Sequence, residues 1–186
     1  MTCIIGLVSD GKVYMGGDSA GARGWTVRPM QNPKVFEVGP FIIGGEGSNR
    51  MYDVLQYHLK VQPQDGESDH EYMICQFAEA VRATLKEHGV AKIENNVEKG
   101  GIFLVGYRGH LYWADSDFQI SEDIDGYDAC GCGQEFALGA MMALEELPPK
   151  KRIRRALEIA AHFSGGVMEP FTVIKQGAGP SEVKGK

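Results

Sequence analysis

The start of the chain holds the residues with the most direct chemistry. Thr2 follows Met1, and a small residue in second place permits removal of the initiator methionine. The threonine so exposed carries an α-amine and a hydroxyl on one residue. A hydroxyl is a weak nucleophile until a base takes its proton, and the free amine of an N-terminal threonine can be that base. Such an amine titrates near ~8, so part of it is neutral at working pH. A cation close by depresses it further, by disfavouring the protonated form. Asp18 and Lys34 could supply an orienting carboxylate and that tuning ammonium. The plainer alternative is an ordinary Asp18–Lys34 ion pair. A Met-Thr start alone carries little weight, since short motifs recur by chance. The weight comes from the elements that must place the three residues.

Cys3 to Val8 reads as a buried strand. Ser9-Asp10-Gly11-Lys12 is a hairpin turn with Asp-Gly in the favoured places. Val13 to Gly17 returns, which brings Asp18 back to the level of Thr2. A glycine-spaced loop with Arg23 and Trp25 follows. Lys34 then heads a third strand to Val38, Gly39-Pro40 turns the chain, and Phe41 to Gly44 is a fourth strand. The period changes at Met51, Val54, Leu55, His58 and Leu59, which recur at helical spacing. A second helix starts after Ser68, a cap with Glu71 at the capping-box position, and ends near His88-Gly89. Strands resume over Gly101 to Tyr107 and His110 to Ala114. Glu122 to Tyr127 is acidic and reads as a loop leading to a short strand. Helices over Gln134–Glu146 and Ile153–His162, separated by Pro148-Pro149, precede a closing strand, Phe171 to Ile174. Runs of strands followed by paired helices predict an α+β layering rather than alternating βαβ units. Two antiparallel sheets face to face, with a helix pair outside each, would bury every apolar face.

The chain has 186 residues, the size of one domain. Residues 1–175 are assigned to that domain and 176–186 to a loose C-terminal tail. The N-terminal apolar run lacks a basic region and is no signal peptide, and no run approaches a membrane span. A formal charge of −6 speaks against nucleic acid as a partner. The four cysteines, Cys3, Cys75, Cys130 and Cys132, come without an export signal. That predicts free thiols in a reducing, cytoplasmic compartment. None sits at zinc spacing, and neither metal nor cofactor is expected. The 25 glycines cluster at the ends of apolar runs, where backbone must turn sharply or approach a ligand. His58 and His162 are expected on helix faces, and the Lys150-Lys151-Arg152 run with Arg154-Arg155 as a solvated helix start.

Thr2-Cys3-Ile4-Ile5-Gly6, Gly16-Gly17-Asp18-Ser19-Ala20, Lys34-Val35, Ile42 to Gly47, Gly131-Cys132-Gly133 with Ala137 to Ala140, and Ser164-Gly165-Gly166 together resemble the proteasome β-subunit family, most closely its short HslV-type members. The resemblance spans about Thr2 to Ile174. It implies a four-layer αββα N-terminal nucleophile (Ntn) hydrolase. Thr2 would be the nucleophile, Lys34 the group that lowers its amine pKa, and Asp18 the holder of that lysine. The Gly47 N–H would receive the oxyanion, with Cys132 and Ser164 completing the network. Gly21, Asn32, Gly45, Glu46 and Asn49 would meet the substrate, with Gly45 leaving room for a large side chain. Two departures bear on activity rather than fold. Cys132 stands where the family has a serine, and a thiol is the weaker donor. Ala161 stands where the proteasome branch has an aspartate.

The first functional expectation is therefore a threonine endopeptidase, assembled into stacked homo-oligomeric rings that degrade unfolded polypeptides. An ATP-dependent unfoldase would be a separate partner, because this chain has no G-x-x-x-x-G-K-[ST] loop. A catalytically silent ring subunit, favoured by Cys132 and Ala161, is a second reading. A small-molecule amidohydrolase of the same fold is a third.

Overall fold

The computed structural model describes residues 1–177. Two antiparallel sheets form its centre. The first has β1 (Ile4–Ser9), β2 (Lys12–Gly17), β12 (Tyr127–Cys130) and β13 (Thr172–Lys175), in the order β12-β1-β2-β13. The second has β5 (Val35–Val38), β6 (Phe41–Glu46), β9 (Ile102–Tyr107), β10 (His110–Ala114) and β11 (Ile120–Glu122), in the order β11-β10-β9-β6-β5. Two hairpins stand apart, β3 (Ala20–Arg23) with β4 (Thr26–Pro29), and β7 (Lys92–Glu94) with β8 (Val97–Lys99).

Side-chain alternation along the strands divides the apolar residues among three cores, as the period-2 geometry requires. Ile4, Val13, Met15, Val35, Ile42, Leu104, Leu111 and Cys130 pack between the sheets. Their neighbours Cys3, Ile5, Leu7 and Ala129 turn outward onto α4 (Gln134–Ala143) and α5 (Pro149–Phe163). On the other sheet Phe41, Ile43, Phe103 and Val105 turn onto α1 (Asn49–His58) and the helix that begins at α2 (Asp69–Tyr72). That helix continues through a π-helical turn (Met73–Phe77) into α3 (Ala78–Glu87). The result is the expected αββα sandwich. Each fully buried Ile, Leu or Met contributes ~1.5–3 kcal/mol, so the three cores hold the strands against the entropy of ordering them. Gly106 shows how closely the sheets approach: a Cβ there would lie 2.4 Å from Ile42 and 2.7 Å from Val13.

The helix ends follow from their residues. Ser48 caps α1, its Oγ accepting from the Met51 N–H at 3.2 Å. Ser68 caps α2 in the same way, from the Glu71 N–H at 3.2 Å. Pro149 occupies the first turn of α5, where a missing N–H costs nothing. The expected helix start at Ile153 thus moves to Pro149. Arg152 is not simply solvated: its guanidinium donates to the Met141 carbonyl at the end of α4 at 2.9 Å and lies over the Tyr127 ring.

The C-terminal boundary also moves. Gln176, assigned to the tail, is 8% exposed. Its N–H donates to the Val13 carbonyl at 2.8 Å, and its side-chain amide to the Pro40 and Gly106 carbonyls at 3.0 and 3.2 Å. Most of the expected tail, residues 178–186, lies outside the described residues. No helix among the described residues is long and apolar enough to cross a membrane.

Candidate active site

Thr2, Asp18 and Lys34 come together at one end of the sandwich. β1 and β2 pair so that Ile4 faces Gly17. Thr2 and Asp18, just beyond this pair, therefore share one level. Lys34 immediately precedes β5 of the opposing sheet and reaches across the gap. All three are nearly inaccessible, at 3%, 2% and 6% exposure respectively.

Asp18 is the hub. Its Oδ1 accepts from the Thr2 hydroxyl at 3.0 Å, from the Cys3 N–H at 2.9 Å and from Lys34 Nζ at 2.8 Å. Its Oδ2 accepts from the N–H groups of Ala20 at 2.8 Å and Met168 at 3.3 Å. Four donors besides the ammonium fix the carboxylate, so this buried pair meets the requirement that buried charges be both paired and hydrogen-bonded. Thr2 Oγ1 and Lys34 Nζ meet at the same oxygen, which places the ammonium beside the hydroxyl. Lys34 also donates to the Met1 carbonyl at 3.2 Å. Met1 itself is 57% exposed and covers the Thr2 nitrogen.

Cys132 clasps Thr2 from the other side. The Thr2 N–H donates to Cys132 Sγ at 3.3 Å, and the thiol donates to the Thr2 carbonyl at 3.4 Å. Ser164, at the end of α5, donates to the Cys132 carbonyl at 3.3 Å and lies 3.5 Å from its sulfur. The clasp depends on Gly131. Its φ is +96°, and a Cβ there would lie 2.3 Å from the Thr2 carbonyl oxygen. Only glycine accepts that conformation without strain. Cys132 is exposed while Cys3 and Cys130 are buried. Burial first, then the Asp18 and Cys132 charges, pushes the Cys3 thiol up to about 12, and Lys34 offsets part of this. Burial likewise raises Cys130 well above its ordinary value. Both remain neutral thiols within the cores. Ala161, where the proteasome branch has an aspartate, packs against the core beneath α4 and α5.

Gly47 follows β6 directly, just before the α1 cap, Ser48. On one side of this corner is a cavity of about 200 Å³ lined by Met30, Asn32, Pro33, Lys34, Asn49, Tyr52, Asp53 and Gln56. Of the expected substrate residues, Asn32 and Asn49 line it directly. Gly21 is one layer behind, against Met30: a Cβ on it would lie 2.3 Å from that side chain.

Gly45 does not open the cavity. A Cβ on it would lie 2.3 Å from the Ile102 carbonyl and 2.8 Å from Phe103, so the missing side chain serves the β6–β9 pairing. Gly45 acts through its carbonyl, which accepts from the Tyr52 hydroxyl beneath the cavity. Glu46 lies close enough to Tyr52 and Cys130 for its charge to raise both. Asp53 and Gln56 escaped the sequence reading. They are one and two turns into α1 on the face that Asn49 begins, so the i, i+4, i+7 rule would have found them. Among the described residues no three His, Cys, Asp or Glu side chains gather as a metal site. His58 and His162 are exposed on their helices, His58 tilted against the His88 ring and His162 edge-on to Phe163.

No protein-family model matches the chain, and a search of curated proteins finds no match either. Solved structures do match. Thiobacillus denitrificans BPH in complex with epoxomicin superposes with a TM-score of 0.78 at 20% identity, covering 93% of this chain and 97% of that one. A second structure of Thiobacillus denitrificans BPH gives a TM-score of 0.78 at 19% identity, over 93% and 96%. Eukaryotic HslV from Trypanosoma brucei gives 0.67 at 20% identity, over 93% and 98%. With the layer order, the strand order and these superpositions in agreement, the chain has the proteasome-type N-terminal nucleophile peptidase fold.

Proposed function

We propose that the chain is a threonine endopeptidase subunit that acts once Met1 has been removed. The observation that carries this reading is the single Asp18 oxygen shared by the Thr2 hydroxyl and the Lys34 ammonium. A plain surface ion pair would leave the nucleophile out and would not be buried to this degree. Loss of Met1 converts the Thr2 amide nitrogen, now on Cys132 Sγ, into an α-amine. Lys34 then loses the Met1 carbonyl as an acceptor and faces that amine, whose protonated form it disfavours.

In the proposed reaction the amine takes the Oγ1 proton and Oγ1 bonds to the substrate carbonyl carbon. The resulting oxyanion is received by the Gly47 N–H, and such preorganised donors are usually the largest catalytic contribution. The protonated amine passes its proton to the leaving amine as the C–N bond breaks. Water then attacks the ester with the same amine as base, releasing the acid and restoring Thr2. Asp18 and Lys34 stay charged throughout and position the nucleophile. Cys132 holds the amine in place of a serine. Stacked rings of this subunit, a polypeptide substrate and a separate unfoldase belong to the same proposal. The fold shared with HslV and BPH supports it.

The test is hydrolysis of fluorogenic peptides by wild type and Thr2→Ala, with sizing of both proteins. The proposal expects ring-sized particles for both and turnover only for the wild type. Equal turnover by the two would overturn the mechanism, and an active monomer would favour the amidohydrolase reading.

A further inference from the structure

The end of the sandwich opposite Thr2 carries a cavity of about 490 Å³, a size that takes a small molecule. Turns from both sheets build it. Gly109, in the β9–β10 turn, has a φ of +86°, and a Cβ on it would lie 2.7 Å from the Gly11 carbonyl oxygen in the β1–β2 turn. The two turns therefore meet and close one side. Phe41, Tyr72 and Tyr107, at 2%, 2% and 3% exposure, form an aromatic floor, with ring centroids 4.9 to 6.3 Å apart. Pro40, Val61 and Pro63 add apolar walls that solvent still reaches. The neutral polar side chains of the lining are already engaged. The Tyr72 hydroxyl donates to the Gln62 carbonyl at 2.7 Å and the Tyr107 hydroxyl to Gln64 Oε1 at 2.8 Å. The Gln64 amide donates to the Glu67 carbonyl at 2.7 Å, and the Gln176 amide to Pro40 and Gly106. The charged residues of the lining are both cations, Lys12 and Arg108. Asp69 holds Arg108 at 3.2 Å. Glu37, near the mouth, is turned to the Gly177 N–H at 2.9 Å. Lys12 is half-buried and, among the described residues, its ammonium makes neither an ion pair nor a hydrogen bond.

We propose that this cavity binds a small organic carboxylate with an apolar body, the carboxylate on Lys12 and the body against Pro40, Val61 and Pro63 above the aromatic floor. The site is independent of the peptidase reading. A half-buried ammonium without a counter-charge bears the cost of lost hydration with nothing to offset it. A carboxylate supplies both the counter-charge and a charge-assisted hydrogen bond. Arg108, over the Tyr107 ring at 5.4 Å, adds positive potential on the same side. A cationic ligand would meet two like charges and no acid in the lining, which excludes it. A bare inorganic anion would leave the apolar walls wet, whereas covering them is the favourable step for an apolar body. The residues after Gly177 carry Lys184 and Lys186 against Glu182, the wrong balance for a cationic lining.

The experiment is equilibrium dialysis of the full chain with octanoate, 1-octanol, octylamine and inorganic phosphate. Wild type is expected to bind octanoate saturably, and to bind octanol and octylamine about tenfold or more weakly, the scale of one hydrogen bond to a charged group. Phosphate at the same concentration should leave octanoate in place. Lys12→Gln should lose about tenfold in octanoate affinity and keep its affinity for octanol, a pattern that a general loss of fold does not imitate. Equal wild-type affinities for octanoate and octanol, or an unchanged octanoate affinity in Lys12→Gln, would overturn the proposal. So would the absence of saturable binding, or displacement by phosphate, which marks a site for the bare anion. Two other occupants have their own signatures. Carbodiimide coupling of Lys12 to Glu182 in the ligand-free full chain would assign the cavity to the chain's own C-terminal residues. Dissociation of the particle in Lys12→Gln would assign it to a second copy. Either result overturns the proposal.

Discussion

At the scale of single residues, the site turns on how many groups Asp18 satisfies. Its two oxygens accept from Thr2, Cys3, Ala20, Met168 and Lys34. An amide in its place would turn an NH2 toward backbone donors and leave Lys34 buried without its counter-charge. Breaking one partner of a buried pair costs ~3–5 kcal/mol. Asp18→Asn is therefore expected to lower the urea unfolding midpoint markedly and to abolish turnover. A variant of wild-type stability would show that the pair is not the anchor described. Cysteine reactivity gives a separate check. Iodoacetamide at mildly alkaline pH should label Cys75 and Cys132, which are exposed, and spare Cys3 and Cys130. Mass spectrometry showing Cys3 modified in the folded protein would contradict its burial.

At the scale of elements, the strands and helices that place the site were readable because their apolar residues obey one period each. β1, β2, β6 and β9 alternate between two cores, and Ser68 marks its helix by type. The elements that sequence reasoning missed have little burial to leave a pattern. β3 and β4 read as a loop because Trp25 at their turn is fully exposed and their outer positions are polar. β7 and β8 hide in a charge-rich stretch, although Asn95 and Asn96, both with positive φ, are what a two-residue hairpin turn requires. Thr2, Asp18 and Lys34 were legible because a tight hairpin fixes the level of the first two and the third heads a strand. Asp53 was missed, although its spacing of four from Asn49 puts both on one face of α1.

The same element-scale logic predicts the effect of Gly131→Ala. The new methyl would press on the Thr2 carbonyl and require a left-handed backbone. Such substitutions destabilise by more than the ~0.4–1 kcal/mol gained where the conformation allows alanine. Activity should fall further than stability, because the displaced residue is the proposed nucleophile. Normal kcat in the Gly131→Ala protein would mean that the Cys132 clasp does not position Thr2.

At the scale of the whole molecule, the cores couple folding to alkaline pH. Cys3 titrates at about 12 in the folded chain against 9.0 for an unperturbed thiol, and Cys130 is raised in the same direction. Between those values the unfolded chain releases protons that the folded chain retains, so stability falls as pH rises. The contribution is complete below pH 9.0 and is lost toward about 12. Urea midpoints followed upward through this window should decline, and Cys3→Ala should decline less steeply. A flat profile would contradict the buried neutral thiols.

The central claim is that Thr2 works with its own liberated amine. Intact mass spectrometry of the particle fraction that hydrolyses peptide tests this most directly. The account predicts that the active particles consist of chains lacking Met1, beginning at Thr2. Full specific activity in particles that retain Met1 would contradict it, because the nitrogen assigned as base would still be an amide.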